Sequence, residues 1–472
     1  MGCQSTIQAE LVNGQSPSEA IEVADRTDES APVAAGWQER SHNPFKRRSD
    51  LIKAVLSIGD QAVFSGTSFL SAVIIGRVCT ADDLGLYYLT LTIAFIAIGI
   101  QDSLISSPFA IFSNTRRGRD LEEFTGSAWV HYLFLASLYV VLLAIGATVT
   151  QLLGGASFLP GLKILLFVLP LLLLREAIRR FAFARLKLNV AIAVDVTVSA
   201  VQLSGLLLLV SMGRMSILGI FGVMGAACAV ASVGWWIFRP QAARIVPGRI
   251  WSDWTHSWHF ASWSLYSYVV GSTIPFVMPW IVASLVSPAA AGLFGAVSTL
   301  VGMTNVLVLG ANNFLTPKGA ASFADGGAAG LRRVLVAAAM LLLLLIGTFL
   351  LAILLTGDRL ALLVFKKEEF RGCGPLMATL AANVLIGSLG MIAVTGLWVL
   401  GKQRINFAMD VCVFGVTMLA AALLVVPYGA LGAALASLTG AAVGTTLRAV
   451  MLHQALNSCV AVPGGDLMTP SV

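Results

Sequence analysis

Four aspartates stand inside stretches of sequence that are otherwise apolar: Asp60, Asp102, Asp195 and Asp410. An ionised side chain at the centre of a bilayer costs at least about 2.5–3.5 kcal/mol, so each must face a partner or a water-filled cavity. Burial favours the neutral form of a carboxylic acid. Such a group can therefore carry a proton, hold a sodium ion or form part of a gate, and that is the chemistry expected of these four. The competing reading is structural, with each carboxylate paired to an inner-surface arginine such as Arg175, Arg179 or Arg185 and stapling helix ends. A second set is suited to a polar substrate. Gln61, Gln101, Gln202, Asn305, Asn312, Asn313 and Asn383 lie within apolar runs, where amides either bind a ligand or join helix to helix. Asn305 is expected deep within its span. Arg175, Arg179 and Arg180 form a cluster that suits phosphate, although the ordinary excess of cations at the inner membrane surface accounts for it as well. Catalytic chemistry is not expected, because no nucleophile–base pair is in view. Nor is a metal: His256 and His259 lack a third ligand, and the six cysteines include no CxxC pair.

The elements that hold these residues follow from composition. Hydrophobic residues make up 57% of the 472 and charged residues 11%, with a mean hydropathy of +0.86. A soluble domain carries about 25% charge, so a soluble enzyme and a disordered chain are both excluded. Continuous apolar runs rule out the alternating strands of a β-barrel. At about 20 residues per crossing, an all-α polytopic protein of about twelve spans is expected. They fall near 52–77, 84–112, 126–152, 162–181, 190–212, 217–238, 258–285, 290–314, 334–356, 376–399, 407–426 and 430–454. With both termini in the cytoplasm, 22 Lys and Arg lie in or near inner loops and seven in outer loops, the asymmetry that orients membrane proteins. The net charge of +6 then serves orientation and anionic lipid; no nucleic-acid partner is implied. At about 1.5 Å per residue, all four aspartates fall in the cytoplasmic half of the membrane.

Three fragments recur in order. DDLGLYYLTLTI (82–93) pairs with AAAGLFGAVSTL (289–300), aligning Gly85 with Gly292 and Tyr87 with Phe294. LKLNVAIAVDV (186–196) pairs with KQRINFAMDV (402–411), aligning Asp195 with Asp410, and LGIFGVMGAACA (218–229) pairs with LGAALASLTGAA (431–442). An even number of spans per repeat gives two six-helix lobes of the same orientation with a site between them. The expected organisation is a cytoplasmic disordered tail at 1–45, lobes at 46–240 and 258–455, an amphipathic linker at 241–257 and a C-terminal tail at 456–472. The tail at 1–45 holds seven of the chain's 24 acidic residues and is low in apolar pattern. Its opening MGCQST also fits a loose acylation pattern at Gly2 and Cys3. Gly271, Pro275 and Pro279 should bend the seventh span and serve as a hinge.

The segment DDLGLYYLTLTIAFIAIGIQDSLISSPFAI (82–111), with the small-residue runs at 218–227 and 431–442, resembles the polysaccharide transporters and O-antigen flippases of the multidrug/oligosaccharidyl-lipid/polysaccharide (MOP) superfamily. The resemblance is one of layout over about 45–455. It implies a MATE-like pair of lobes around a central cavity and alternating access. It also implies a lipid-linked saccharide substrate in the cell membrane, in the setting of O-antigen or lipopolysaccharide biosynthesis, with membrane lipids and polysaccharide-assembly proteins as partners. No cofactor is implied beyond a coupling H+ or Na+. The rival readings are a cation-coupled multidrug antiporter of the same superfamily and, less favoured, an integral-membrane glycan polymerase or ligase. The last would need a larger outer loop than 357–375.

Overall fold

The computed structural model describes residues 44–154, 158–238 and 242–460. The chain forms two units, Met1–Lys53 and Ala54–Val472, and of the first only the opening of a helix from Pro44 is described. The expected N-terminal tail, with Gly2 and Cys3, lies outside the described residues apart from its last two. The expected C-terminal tail is helical from 456 to 460 and beyond that also lies outside them.

Every regular element among the described residues is helical. The first half contains α1 (Pro44–Val78), α2 (Ala81–Gln101), a π-helical turn (Asp102–Ser106), α3 (Ser107–Phe112), α4 (Gly118–Leu152), α5 (Leu159–Ala184), α6 (Leu188–Ser211) and α7 (Ile217–Phe238). The second half contains α8 (Pro247–Gly271), α9 (Ile274–Leu285), α10 (Pro288–Gly302), α11 (Asn305–Phe365), α12 (Gly374–Val399) and α13 (Gln403–Val460).

Eight of the described helices are long and apolar enough to cross a membrane, nine if the bent pair α8–α9 is one span. Local chemistry explains why this differs from the twelve expected. α11 and α13 have 61 and 58 residues, about 90 Å each at 1.5 Å per residue, or some three hydrocarbon thicknesses. Each is two rods joined at a glycine: Gly327 (φ 56°) after Gly326, and Gly429 (φ 59°), positions where only a residue without Cβ turns the chain freely. α5 ends in Arg175, Glu176, Arg179 and Arg180 and so is less apolar than a plain span, and α10 has only 15 residues.

α2 and α10, the repeat-related helices, start alike. Thr80 accepts a hydrogen bond from the Asp83 N–H and Ser287 from the Ala290 N–H, hydroxyl caps for otherwise unpaired donors. The expected eighth span does not run through 290–314. It breaks at Met303–Thr304, so Asn305 opens the next helix and is exposed. The linker is helical from Pro247 and continuous with the seventh span. That span then bends by 45° between Gly271 and Ile274, with Pro275 in the first turn of α9 and Pro279 inside it.

One apolar core runs through both halves, from Ala72 to Ala436. Smaller ones form under α5, α6 and α7 and under α11, α12 and α13. Leu152, Phe167, Phe238 and Leu355 are among the large apolar side chains left exposed. In water such a surface would be an aggregation hazard; in a bilayer it is the lipid-facing surface.

Candidate functional site

The helical period decides what α5 presents. Arg175, Glu176, Arg179 and Arg180 follow one another at spacings of one, three and one, which places all four on adjoining faces of its last turns. α1 brings Asp60, α6 brings Asp195 and the π-helical turn brings Asp102. Arg179 Nη2 donates to Asp60 Oδ2 (2.7 Å), and its Nε donates to Asp195 Oδ2 (2.8 Å). Asp195 also pairs with Arg175. Glu176 accepts from Arg175 (3.0 Å), Arg179 (3.3 Å) and Arg180 (2.9 Å), and Arg180 reaches Asp102 at 3.3 Å. The Phe64 ring lies 5.6 and 5.7 Å from the guanidinium carbons of Arg175 and Arg179, and Phe183 lies 5.0 Å from that of Arg179, within cation–π reach.

Two features of this cluster matter chemically. It is dry at its centre: Asp60 and Asp195 are each 1% exposed. It is also unbalanced, with four carboxylates meeting three guanidiniums, and Asp60 Oδ1 has no hydrogen-bond partner among the described residues. A buried uncompensated charge is costly, so a proton or a small cation at this centre would complete it. Desolvation also strengthens each pairing, and removing one partner of such a network costs about 3–5 kcal/mol.

The expected phosphate and ion candidates thus meet in one place. Arg175 and Arg179 are occupied by carboxylates, which leaves Arg180 as the half-exposed member. Asp410, the repeat partner of Asp195, is elsewhere. It pairs with Arg448 across the two rods of α13, against Gly271, where an added Cβ would come within 3.3 Å of the carboxylate. The amides are scattered. Gln101 donates to the Leu173 carbonyl (3.1 Å), Gln202 to Ser71 (2.9 Å) and Gln61 to Ser65 of its own helix (3.4 Å). Asn312 accepts from Thr395 (3.2 Å), and Asn383 is half-buried on α12. Asn313 lies in α11, and its side chain is outside what is described. Gln101, Gln202 and Asn312 therefore join helices, and the described side chains of the set do not gather into one amide-lined cavity.

Where the two halves meet, the equivalent glycines of the repeat touch. A Cβ on Gly85 would overlap the Pro288 carbonyl oxygen, and one on Gly292 would lie 2.6 Å from the Gly85 nitrogen. Backbones approach this closely only across small residues. Tyr88 and Thr299 share a hydrogen bond (3.0 Å), Trp280 donates to Thr92 (2.8 Å), and Arg77 and Lys367 donate to the carbonyls of Val364 (2.6 Å) and Cys79. This end carries the turns at 79–80, 286–287 and 366–373 and is sealed.

At the other ends of α2 and α8 a different set, unforeseen from the sequence, fixes the linker to the first half. Arg249 reaches Asp120 (2.7 Å) and Glu123 (3.0 Å), and Arg116 reaches Asp253 (3.2 Å). Ser127 also donates to Asp253 (2.7 Å), and the Arg244 N–H donates to the Glu122 carbonyl (2.9 Å). Charges at span ends are ordinary, and 116–123 and 244–253 each carry both signs, so neither segment indicates its partner. His256, one of the two histidines of the sequence pair, packs against Phe112 with 4.9 Å between ring centres and the rings tilted by 56°.

No family model matches the sequence, and no curated protein matches it. Solved structures do match in shape. A multidrug resistance MATE family transporter of the MOP superfamily, in its inward-facing conformation, superposes with a TM-score of 0.65 at 14% identity, over 86% of this chain and 95% of the other. The outward-facing conformation of such a transporter gives 0.59 at 12% identity, over 87% and 95%. The lipid II flippase MurJ, in an inward closed conformation, gives 0.67 at 12% identity, over 87% and 90%. The chain therefore has the all-helical fold that MATE transporters and the lipid II flippase share.

Proposed function

We propose that this chain is an alternating-access transporter of the cell membrane that flips a lipid-linked oligosaccharide or exports a polysaccharide precursor. The observation that carries the proposal is the α5 cluster, dry at its centre, short of one positive charge and open through Arg180 and Asp102 to a cavity between the π-helical turn and the end of α5. Asp60 and Asp195 share Arg179, so taking up a proton or a sodium ion there would change how α1 and α6 are held against α5. That is a means of coupling ion binding to movement of helices. Gly85 and Gly292 form the contact that must part when the sealed end opens, and the 45° bend at Gly271–Ile274 is a natural hinge. On this reading both termini are cytoplasmic and the sealed end faces outward, which agrees with the better match to an inward-facing conformation. Saccharide-assembly proteins are the partners such a flippase would serve.

A second reading has its own support, since the same fold serves a multidrug transporter and the charge imbalance would equally drive cation-coupled drug export. Deletion of the gene followed by lipid extraction separates the two. The flippase reading expects cells with undecorated surfaces that accumulate lipid-linked glycan on the cytoplasmic side. Normal glycans with lost drug resistance would favour the antiporter.

A further inference from the structure

Beside the buried cluster lies an open cavity of about 270 Å3 between the π-helical turn and the end of α5, lined in part by Asp102, Ser106, Ser107, Ala110, Arg180 and Phe183. The turn itself makes this wall. Its Ser107 N–H bonds back five residues to the Asp102 carbonyl, and such a bulge rotates the next turn out of the normal helical phase, a device common at functional sites. The polar groups here are only partly used. The side chains of Asp102 and Arg180 are 29% and 42% exposed. Arg180 is held through Nε by Glu176 and Asp102, and its two terminal nitrogens have no partner among the described residues. Ser106, 3% exposed, has a hydroxyl with no partner there either.

The chemistry of this wall favours one class of ligand. Asp102 and Arg180 set opposite charges side by side on this wall, with Glu176 behind Arg180, so a diphosphate would meet a carboxylate and a cationic drug a guanidinium. A neutral polyol has neither conflict: its hydroxyls can donate to the carboxylate and accept from the guanidinium and serines, while its C–H face can rest on an aromatic ring such as Phe183. The volume equals that of about nine water molecules, the scale of one sugar ring and too small for a polyprenyl tail. We infer that this cavity is the subsite for a neutral sugar ring of the transported glycolipid, read by Asp102, Arg180, Ser106, Ser107 and Phe183. The inference rests on the flippase reading.

The test uses the full chain in lipid nanodiscs and two probes: polyprenyl-linked glycans extracted from host membranes, and the same extract after mild-acid removal of the glycan. Binding is followed by native mass spectrometry and by thermal stabilisation. The wild type is expected to prefer the glycosylated extract by about tenfold or more, as expected when a built polar site loses its partner. Asp102→Asn should reduce that preference by about tenfold. Ala110→Phe, which fills the cavity without removing a polar contact, should abolish it while leaving the unliganded melting temperature unchanged. Equal binding of both extracts, or a preference that survives both substitutions, overturns the sugar subsite and leaves the flippase reading standing. Binding of neither extract overturns the flippase reading, and the subsite with it.

Discussion

Replacing Arg179 by Gln should expose the charge imbalance directly. Arg179 contacts Asp60, Asp195 and Glu176 at 2.7, 2.8 and 3.3 Å. Asp195 keeps Arg175, and Glu176 keeps Arg175 and Arg180, but Asp60 has no other cationic partner among the described residues. The damage therefore concentrates on one carboxylate that is 1% exposed. The single variant takes the cluster from four carboxylates and three guanidiniums to four and two. Stranding a buried charge in this way costs about 3–5 kcal/mol. Adding Asp60→Asn restores the original imbalance, three against two, and removes the stranded group. The double variant should accordingly be more stable than Arg179→Gln by about 1–3 kcal/mol, the range of coupling between groups in one network. The assay is a double-mutant cycle by denaturant unfolding of the purified chain in one detergent, with the half-exposed Arg180→Gln as the milder comparison. Loss in the double variant equal to the sum of the singles, within about 0.5 kcal/mol, would refute the argument that Asp60 depends on Arg179.

Other outcomes follow from the same geometry. Asp60→Asn should abolish transport without loss of membrane expression, and normal export by that variant would remove Asp60 from ion coupling. Burial, with Asp83 nearby, pushes the Cys79 thiol up to about 11, and burial with Asp358 does the same for Cys373. Their thiolate fraction near pH 7.5 is then about a hundredfold below that of an ordinary cysteine, and maleimide labelling of both should be correspondingly slow. Gly85→Ala would place a methyl group on the Pro288 carbonyl, so the sealed end must part, and labelling of Cys79 should accelerate at least severalfold; unchanged labelling would mean that the halves meet elsewhere. Asp253→Asn loosens the linker from α4 and should raise proteolytic cleavage near Arg244 and Arg249 by more than Asp325→Asn does in α11.

The sequence marked the right residue types for the buried cluster but not their grouping. Asp60, Asp102 and Asp195 stood out because charge is expensive in an apolar run, and Arg175, Arg179 and Arg180 because they form a local basic cluster. That the two sets pair, with Glu176 adding a fourth carboxylate, depends on which face of α1 and α6 meets α5, a matter of packing that no single helix encodes. Asn305 moved for a local reason: Gly302 ends α10 and the chain breaks at Met303–Thr304, which hydropathy averages away. Asp195 and Asp410 align in the repeat yet find different partners, because the second half has no counterpart to the arginines of α5. The repeat itself was the best guide. It aligns Gly85 with Gly292, and these are among the residues through which the two halves touch.

Movement of a lipid-linked saccharide by the purified chain is the most direct test of the central claim. Proteoliposomes would be loaded with a glycan-bearing polyprenyl lipid on one leaflet, and its arrival on the other followed by accessibility to a lectin. The wild type should move the lipid at a rate that responds to an imposed proton or sodium gradient, and Asp60→Asn should not. No movement by the wild type, with gradient-driven transport of a lipophilic cationic drug in the same vesicles, would contradict it.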